Sequence, residues 1–469
     1  MIELWNSRLK KTPQELLLEI SQAAEGMDWD VYGDYGTSAD TSYLRAFEKE
    51  VGAFFGKEDA LFLPSGVMAQ LIALQIHCQD KARAFVCHHS SHLLLHEQDA
   101  YRHLVGVEAV VVPAKQSRIQ EPLSLQAVTA AIDARQEGQG KGAIPAVVLL
   151  ETPHREIGGK LTSEEELADI AAYCRRFGVA LHCDGARLWE ALACYQYEGL
   201  GVGGAEGGEG GEGLGCMGVG MGVGGQGEGT AGVMGRSLQS TASSIASHFD
   251  SLYVSFYKGL GGMTGAVLMG RGPFIAQARV WARRFGGNLF TLLPYAVNAQ
   301  QCFRQYVLWN TPKESPSSTT LHPLSMRARV LRLQRVVALL TSISGEGGGG
   351  WGGVGDDSSD GGGGGGGYLR FDPPLPLVSL VHLYIRCSVA QATAANEQSS
   401  QQTGVGCFAR VRPAVGGVEG GSGEGGAVGV YEECFFEFNL GPGNIGLTDA
   451  QWAEGWRAFI SKLHQIVEN

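Results

Sequence analysis

Two short segments carry side chains that could together bind a pyridine nitrogen and a carboxylate. In the first segment, Asp184 ends an apolar stretch and Arg187 follows three positions later. A carboxylate placed there could keep a pyridine nitrogen protonated, and an arginine could hold a carboxylate through two parallel hydrogen bonds. The structural alternative is a strand-end aspartate that caps the next helix, beside an arginine in solvent.

Lys258 stands in the second segment and is followed by Gly259, Leu260, Gly261 and Gly262. A lysine amine forms a Schiff base with a carbonyl compound when a partly desolvated pocket lowers its pKa. Glycines let such a compound approach the backbone closely. An ordinary surface lysine before a loop explains Lys-Gly equally well, but the upstream aspartate and arginine favour the chemical interpretation.

A third segment, Pro64-Ser65-Gly66-Val67, follows an apolar run and precedes a helical pattern. The free amide groups at a helix start and the Ser65 hydroxyl form an anion site that suits a phosphate. A plain helix N-cap explains the same residues. The segment therefore indicates a phosphate site only in combination with the other two.

Histidines are concentrated at His88, His89, His92, His96 and His103. Because His92 and His96 are one helical turn apart, a metal site formed by His88, His92 and His96 is an alternative. The sequence has no HExxH motif and no cysteine pair near these histidines. We therefore expect no metal, and expect one imidazole to stack on a cofactor ring.

Apolar strands alternate with amphipathic helices in the first part of the chain, and this predicts a mainly parallel sheet with crossover helices. In such sheets ligands bind beyond the carboxyl ends of the strands, where Ser65, Asp184 and Lys258 all fall. The strands are predicted at residues 60–63, 107–112, 146–150, 179–182 and 252–256.

The pattern changes beyond Pro294, where helices are predicted at 326–340 and from Thr448 onward. Strands are predicted between them at residues 378–387, 407–411 and 434–438. This mixture predicts two domains. They are a large α/β domain over residues 1–294 and a smaller C-terminal α+β domain over residues 295–469.

Glycine accounts for 70 of the 469 residues, and much of it falls in tracts without a hydrophobic period. We expect the tracts at 199–236, 345–367 and 416–426 to be disordered surface insertions, because long structureless segments are tolerated best at a surface. None of them has the pattern of a phosphate-binding glycine loop.

The formal net charge of −12 excludes general nucleic-acid binding, which usually needs a basic surface. The ten cysteines form no CxxC pair, which is typical of reduced thiols rather than a disulfide framework. No stretch approaches the ~20 apolar residues of a membrane helix. A cytoplasmic protein without membrane partners is expected, and an organellar location stays open if the N-terminus is incomplete.

Taken together, six ordered segments resemble the low-specificity L-threonine aldolases. These enzymes belong to the aromatic amino acid β-eliminating lyase/threonine aldolase group, whose members are fold-type-I enzymes dependent on pyridoxal 5′-phosphate (PLP). The resemblance covers roughly residues 30–294 apart from the first glycine tract. The segments are residues 30–34, 64–69, 91–92, 151–154, 182–187 and 255–262.

The resemblance implies PLP as cofactor, bound covalently by Lys258, with Asp184 paired to the pyridinium nitrogen and His92 stacked on the ring. The phosphate would be held by Ser65, Gly66 and the Val67 amide. It also implies the PLP-dependent transferase-like fold of aspartate aminotransferase, with a mainly parallel central sheet and a smaller C-terminal α+β domain.

For the substrate, the resemblance implies that Arg187 binds the carboxylate and that His154 lies near the hydroxyl group. Tyr32 would approach the site at a subunit interface, because family members assemble as homodimers or homotetramers. We consider His154 the candidate base, since an imidazole titrates near neutral pH.

Three departures from the family concern the phosphate and the substrate carboxylate. Val67 replaces the usual threonine, which removes a hydroxyl but leaves the backbone amide. The N-terminal Asp-x-Arg-Ser-Asp-Thr segment has no clear counterpart before Tyr32. The C-terminal arginine of the family is not identified, although Arg410 and Arg412 are available.

The expected activity is cleavage of L-threonine, L-allo-threonine or related β-hydroxy-α-amino acids to glycine and an aldehyde. A PLP-dependent β-eliminating lyase remains an alternative, because the same lysine, aspartate and arginine would serve it. A non-catalytic protein with the PLP fold is a further alternative, which the missing N-terminal segment and the glycine tracts favour.

Overall fold

The computed structural model describes residues 2–27, 42–79, 81–112, 121–136, 143–196, 236–311, 322–346, 369–414 and 433–467. Tyr32 and most of the predicted glycine insertions (residues 199–235, 347–367 and 416–426) lie outside the described residues. Two ends of those insertions are described. Residues 345 and 346 end a helix, and Arg236 hydrogen-bonds Glu164 at 3.0 Å.

Helix starts agree with their capping residues. The Thr12 side chain accepts a hydrogen bond from the amide of Glu15, and the Glu15 side chain in turn accepts one from the Thr12 amide, which closes a capping box. In chain order the helices are α1 Pro13–Ala23, α2 Tyr43–Phe54, α3 Gly66–His77, α4 His92–Leu95, α5 Leu125–Gln136, α6 Glu164–Arg176, α7 Leu188–Tyr195, α8 Leu238–Ser247, α9 Gly272–Arg284, α10 Leu293–Asn310, α11 Met326–Glu346, α12 Val389–Thr403 and α13 Asp449–Val467.

The strands form three sheets. In chain order they are β1 Ile2–Glu3, β2 Asp59–Leu63, β3 Ala84–Cys87, β4 Glu108–Val111, β5 Val147–Glu151, β6 Ala180–Gly185, β7 Ser251–Ser255, β8 Ala266–Gly270, β9 Leu369–Asp372, β10 Leu380–Ile385, β11 Val405–Gly406, β12 Arg412–Pro413 and β13 Cys434–Asn439.

The central sheet has seven strands in the order β2-β8-β7-β6-β5-β3-β4. Strands β4, β3, β5, β6 and β7 run parallel, whereas β8 is antiparallel to both β7 and β2. Strand β2 therefore points the same way as β7. The predicted mainly parallel α/β sheet is confirmed, and the carboxyl ends of β2, β5, β6 and β7 share one edge.

A second sheet of four antiparallel strands, in the order β12-β13-β10-β9, is formed by the C-terminal part of the chain. The strand predicted at residues 407–411 is wrong, because the Asn396 side chain replaces a strand partner there. Its Oδ1 accepts from the Cys407 amide at 2.9 Å, and its Nδ2 donates to the Phe408 carbonyl at 2.8 Å.

The described residues form four clusters of buried apolar side chains, and the two largest follow the seven-stranded and four-stranded sheets. The first surrounds the central sheet and includes α10 and the start of α11, and the second includes the rest of α11 together with α12 and α13. Strand β1 pairs with β11, so Leu4 lies in the second core. The division into domains after residue 294 stays a prediction. No helix in the described part of the chain is long and apolar enough to cross a membrane.

Candidate active site

The shared edge of the central sheet gathers polar side chains from three strand ends. Asp184 is next to last in β6, and Lys258 comes three residues after β7 ends. Ser255 Oγ donates to the Ala186 carbonyl at 2.7 Å, which ties these two strand ends together. A cleft at this edge is lined by His92, Glu151, Pro153, Arg155, Asp184, Ala186, Arg187 and Lys258.

Asp184 is a buried carboxylate whose hydrogen-bond partners come from distant parts of the chain. Gln70 Nε2 donates to its Oδ2 at 2.7 Å and also lies 3.2 Å from the Tyr253 hydroxyl. Burial, and next the charge of Glu151, raise the pKa of Asp184, although a hydrogen bond from Tyr253 opposes the rise. A carboxylate in this position would gain most from a cationic partner.

Lys258 extends into the same cleft. Burial, and next the positive charge of Arg187, lower the pKa of its amine against the attraction of Asp184 and Glu151. A lowered pKa increases the fraction of neutral amine, which is the form that attacks a carbonyl group. The surroundings of Lys258 thus favour a nucleophilic role.

Ser65 and Gly66 lie at the same edge, at the start of α3. The Ser65 side chain accepts a hydrogen bond from the Met68 amide at 3.3 Å, and the amides of Gly66 and Val67 come too early in α3 to find partners within it. Thr264 Oγ1 donates to the Pro64 carbonyl at 2.7 Å and holds this turn against the loop after Lys258. The three residues do not line the cleft described above, and their phosphate role stays a prediction.

His92 lines the cleft at the start of α4. Its Nδ1 lies 3.1 Å from Glu97 Oε1, and its backbone amide donates to Glu151 Oε2 at 3.3 Å. Burial would lower the pKa of His92, but the Glu97 hydrogen bond and the charge of Asp184 outweigh it and raise that pKa. Glu97 therefore favours the imidazolium form of His92 and orients its ring.

His154 is almost fully buried, at 1% exposure, and does not line the cleft. Its Nε2 shares a hydrogen bond with Ser90 Oγ at 3.0 Å, and Ser90 Oγ in turn lies 2.8 Å from His88 Nδ1. Burial and the neighbouring His154 lower the pKa of His88 to about 3. His154 therefore belongs to a buried polar chain beside the cleft.

The alternative of a metal bound by His88, His92 and His96 gains no support from these contacts. His96 Nε2 is 2.8 Å from Glu156, whereas His88 is engaged with Ser90. Across the described residues, no group of three or more His, Cys, Asp and Glu side chains could hold a metal ion.

Arg187 lies in the cleft but is already paired with two carboxylates. Its Nη1 is 2.8 Å from Glu190 and its Nη2 is 3.1 Å from Glu437, while its Nε has no hydrogen-bond partner among the described residues. Burial would lower the pKa of Arg187, but Glu190 and Glu437 more than compensate and raise it. Both Nη groups of Arg187 are thus already engaged by carboxylates.

Local packing positions Arg187. Trp189, two residues later, is fully buried in the first core, and its Nε1 donates to the Ser255 carbonyl at 2.9 Å. Ser379 Oγ from the second part of the chain donates to Glu190 Oε2 at 2.7 Å. These contacts hold the first turn of α7 against β7.

Arg155 is a second cleft arginine, which the motifs did not single out. Its Nε is 2.5 Å from Glu437 Oε2, and its Nη1 is 2.8 Å from Glu156. Two sequence features could have indicated this ion pair. Arg155 directly follows His154, and Glu437 is the one carboxylate in a strand rich in aromatic residues. The candidates Arg410 and Arg412 do not line the cleft, since Arg410 is exposed and Arg412 lies 3.6 Å from Glu156.

The sheet order and the cleft at its carboxyl edge define an α/β protein of the PLP-dependent transferase-like fold. The family model of the β-eliminating lyases matches residues 19–336. The chain therefore belongs to the β-eliminating lyase family.

Similar proteins include threonine aldolases. The chain is 27% identical over 279 residues to low-specificity L-threonine aldolase 1 of Arabidopsis thaliana, a match covering 59% of this chain and 62% of that protein. It is 26% identical to the low specificity L-threonine aldolase of Escherichia coli K12, over 62% of this chain and 68% of that protein. The match thus spans less than two thirds of the Arabidopsis relative.

A similar solved structure is that of a candidate L-allo-threonine aldolase from Listeria monocytogenes. It is 25% identical, covers 98% of this chain and 96% of its own, and gives a TM-score of 0.67. The likeness in fold therefore extends through the C-terminal part of the chain.

Proposed function

We propose that this chain is a PLP-dependent aldolase that cleaves L-threonine, L-allo-threonine or related β-hydroxy-α-amino acids to glycine and an aldehyde. The observation that carries the proposal is one cleft that holds a buried carboxylate, Asp184, together with the desolvated amine of Lys258 and Arg187. Membership of the β-eliminating lyase family and similarity to named threonine aldolases support it.

The cleft fits PLP by its chemistry. Asp184 is buried beside another carboxylate and has a raised pKa, so a protonated pyridine nitrogen is the partner that would stabilise its charge. Lys258 is the amine that would bind the cofactor's aldehyde carbon. The backbone amides in the first turn of α3, together with Ser65, would bind the phosphate. When bound, PLP supplies an electron-withdrawing ring that stabilises negative charge at the substrate Cα.

The protein's contribution is to orient the bond that breaks and to exclude water. Arg187 and Arg155 present two guanidinium groups to the substrate carboxylate from one side of the cleft, and His92 would lie against the cofactor ring. Fixing the carboxylate in this way would orient the Cα–Cβ bond of the substrate for cleavage. Such positioning is a principal source of rate enhancement.

The proton of the substrate hydroxyl needs an acceptor, and we assign that role to His154. Its Nε2 lies 3.9 Å from Glu151 Oε2. Ser90 Oγ, which shares a hydrogen bond with the same Nε2, is placed to relay the proton.

Product analysis tests the proposal. Incubation of the PLP-loaded protein with L-threonine is expected to release acetaldehyde and glycine in equal amounts. Lys258→Ala should lose this activity by at least ~1,000-fold, because the amine takes part in covalent chemistry. Lys49, which is exposed in α2, provides the matched control, and Lys49→Ala should retain wild-type turnover.

Ammonia and a keto acid in place of acetaldehyde and glycine would instead identify a β-eliminating lyase. A protein that binds PLP and turns over no β-hydroxy amino acid would identify a non-catalytic member of the fold. Either result contradicts the aldolase proposal.

We further propose a homodimer or homotetramer. Exposed apolar side chains on α1 and α10 support assembly, among them Leu17, Leu18 and Leu308, each more than half exposed. Light scattering of the purified protein tests the assembly. We also propose a cytoplasmic location, which the absence of a disulfide among the described cysteines supports. Cell fractionation tests it.

A further inference from the structure

Glu437 is the one carboxylate of the described residues found in ion pairs with both cleft arginines. It lies on β13 of the second sheet and pairs with two arginines that line the cleft. Its Oε1 is 3.1 Å from Arg187 Nη2 and its Oε2 is 2.5 Å from Arg155 Nε. Asn439 Nδ2 donates to Oε1 at 2.7 Å and fixes the carboxylate in place.

The charges around these arginines are already balanced. Arg187 also pairs with Glu190, and Arg155 also pairs with Glu156, which faces Arg412 at 3.6 Å. Three guanidinium groups therefore face Glu156, Glu190 and Glu437. A further carboxylate brought to Arg187 or Arg155 must either displace Glu437 or accept its repulsion.

The two arginines make neutralisation of Glu437 an ineffective way to relieve that repulsion. Its side chain is only 13% exposed. Burial by itself would raise its pKa, but Arg187 and Arg155 lower the pKa of Glu437 to about 2. Glu437 therefore remains charged near neutral pH.

We propose that Glu437 is a specificity-determining residue, which competes with the substrate's α-carboxylate for Arg187 and Arg155. The inference rests on the proposed function, because it concerns the substrate of that cleft. With Glu437 in place, we expect the protein to bind amino acids only slightly more tightly than amines that lack a carboxylate.

The test compares glycine with methylamine, two amines that differ in the α-carboxylate. Each is titrated into the PLP-loaded protein, and the change in the visible absorption of bound PLP gives the dissociation constant. The ratio of the two constants measures how much the carboxylate contributes to binding. A preparation that is only partly loaded with PLP affects both titrations in the same way, so incomplete loading does not change the ratio. Wild type is expected to favour glycine by less than about tenfold.

Glu437→Gln keeps the size of the side chain and removes its charge. It is expected to increase the preference for glycine by about tenfold, since a charged hydrogen-bonding competitor has been removed. The KM for L-threonine should fall by a similar factor while kcat changes less than about threefold. The matched control is Glu433→Gln, on the same chain segment, where Glu433 pairs with Arg370 at 3.0 Å outside the cleft.

A lower or unchanged preference for glycine in Glu437→Gln overturns the inference, since Glu437 would then only position the arginines. If this variant fails to fold, the wild-type ratio decides, and a preference for glycine above about 100-fold overturns it. A wild-type protein that shows no PLP absorption contradicts the proposed function itself. The two failures are thus distinguished by the spectrum of the wild type.

Discussion

Asp184 and Lys258 acquire their chemistry from burial in one cleft. Burial raises the pKa of Asp184 and lowers the pKa of Lys258, so it shifts each group toward its neutral form. A protonated pyridine nitrogen would stabilise the charged form of Asp184, and a lowered pKa makes the Lys258 amine a better nucleophile for a carbonyl group. The two shifts are complementary, which is typical of residues that share a cofactor.

Glu97 is expected to make the stability contributed by His92 depend on pH. The pKa of His92 is raised, so its stabilising contribution is complete below the unfolded-state pKa of about 6.5 and is lost as pH rises through the folded-state value. Glu97→Gln should therefore destabilise the protein more at about pH 5 than at about pH 8. Urea unfolding at both pH values measures this.

Glu108→Gln is the control for that experiment, because Glu108 is exposed at the start of β4. It should leave the pH dependence of unfolding unchanged. If Glu97→Gln loses the same stability at both pH values, the contact between Glu97 and His92 does not depend on a charged His92 ring.

The sequence motifs anticipated much of the cleft but not the groups that surround it. His92, Asp184, Arg187 and Lys258 were predicted from their segments, and all four line one cleft. Gln70 and Glu437 were missed, because they reach Asp184 and Arg187 across 114 and 250 residues of chain. Their importance depends on packing between elements, which no local pattern records.

At the scale of elements, α3 must approach β7 closely to present its first amides at the sheet edge. A Cβ atom on Gly66 would lie 2.6 Å from Cε2 of the buried Tyr253 ring. Gly66→Ala is expected to destabilise the protein by about 1–3 kcal/mol and to weaken PLP binding, because the helix start must shift. Urea unfolding and PLP titration measure the two effects.

Gly272→Ala is the matched control, since Gly272 also opens a helix, α9, and its Cβ would meet only Glu58 Oε2 at 3.7 Å. We expect almost no loss of stability there. Equal losses in the two variants would contradict the packing explanation and indicate a general cost of substitution at a helix start.

Five of the seven strands of the central sheet correspond to predicted segments. The strands near residues 147–151, 180–185 and 251–255 correspond to predicted segments, whereas β3 and β8 were not predicted. Strand β3 has only four residues, which leaves little pattern to detect. The segment 407–411 failed for another reason, since the side chain of Asn396 satisfies its backbone in place of a neighbouring strand.

At the scale of the whole molecule, the cleft needs both sheets. The central sheet supplies Asp184 and the loop that holds Lys258, and the second sheet supplies Glu437. The two parts also meet where the backbone turns at Gly158, whose Cβ would lie 2.0 Å from the Asp372 carbonyl oxygen. The pairing of Glu437 with Arg187 and Arg155 therefore depends on how the two sheets meet, a relation that spans most of the chain.

The central claim is that Lys258 binds PLP covalently, and peptide mapping tests it most directly. The PLP-loaded wild type is reduced with borohydride, digested and analysed by mass spectrometry. We predict that the phosphopyridoxyl group is found on Lys258, in the peptide that follows β7. A label on another lysine, such as the partly buried Lys57, or no label at all would contradict the claim.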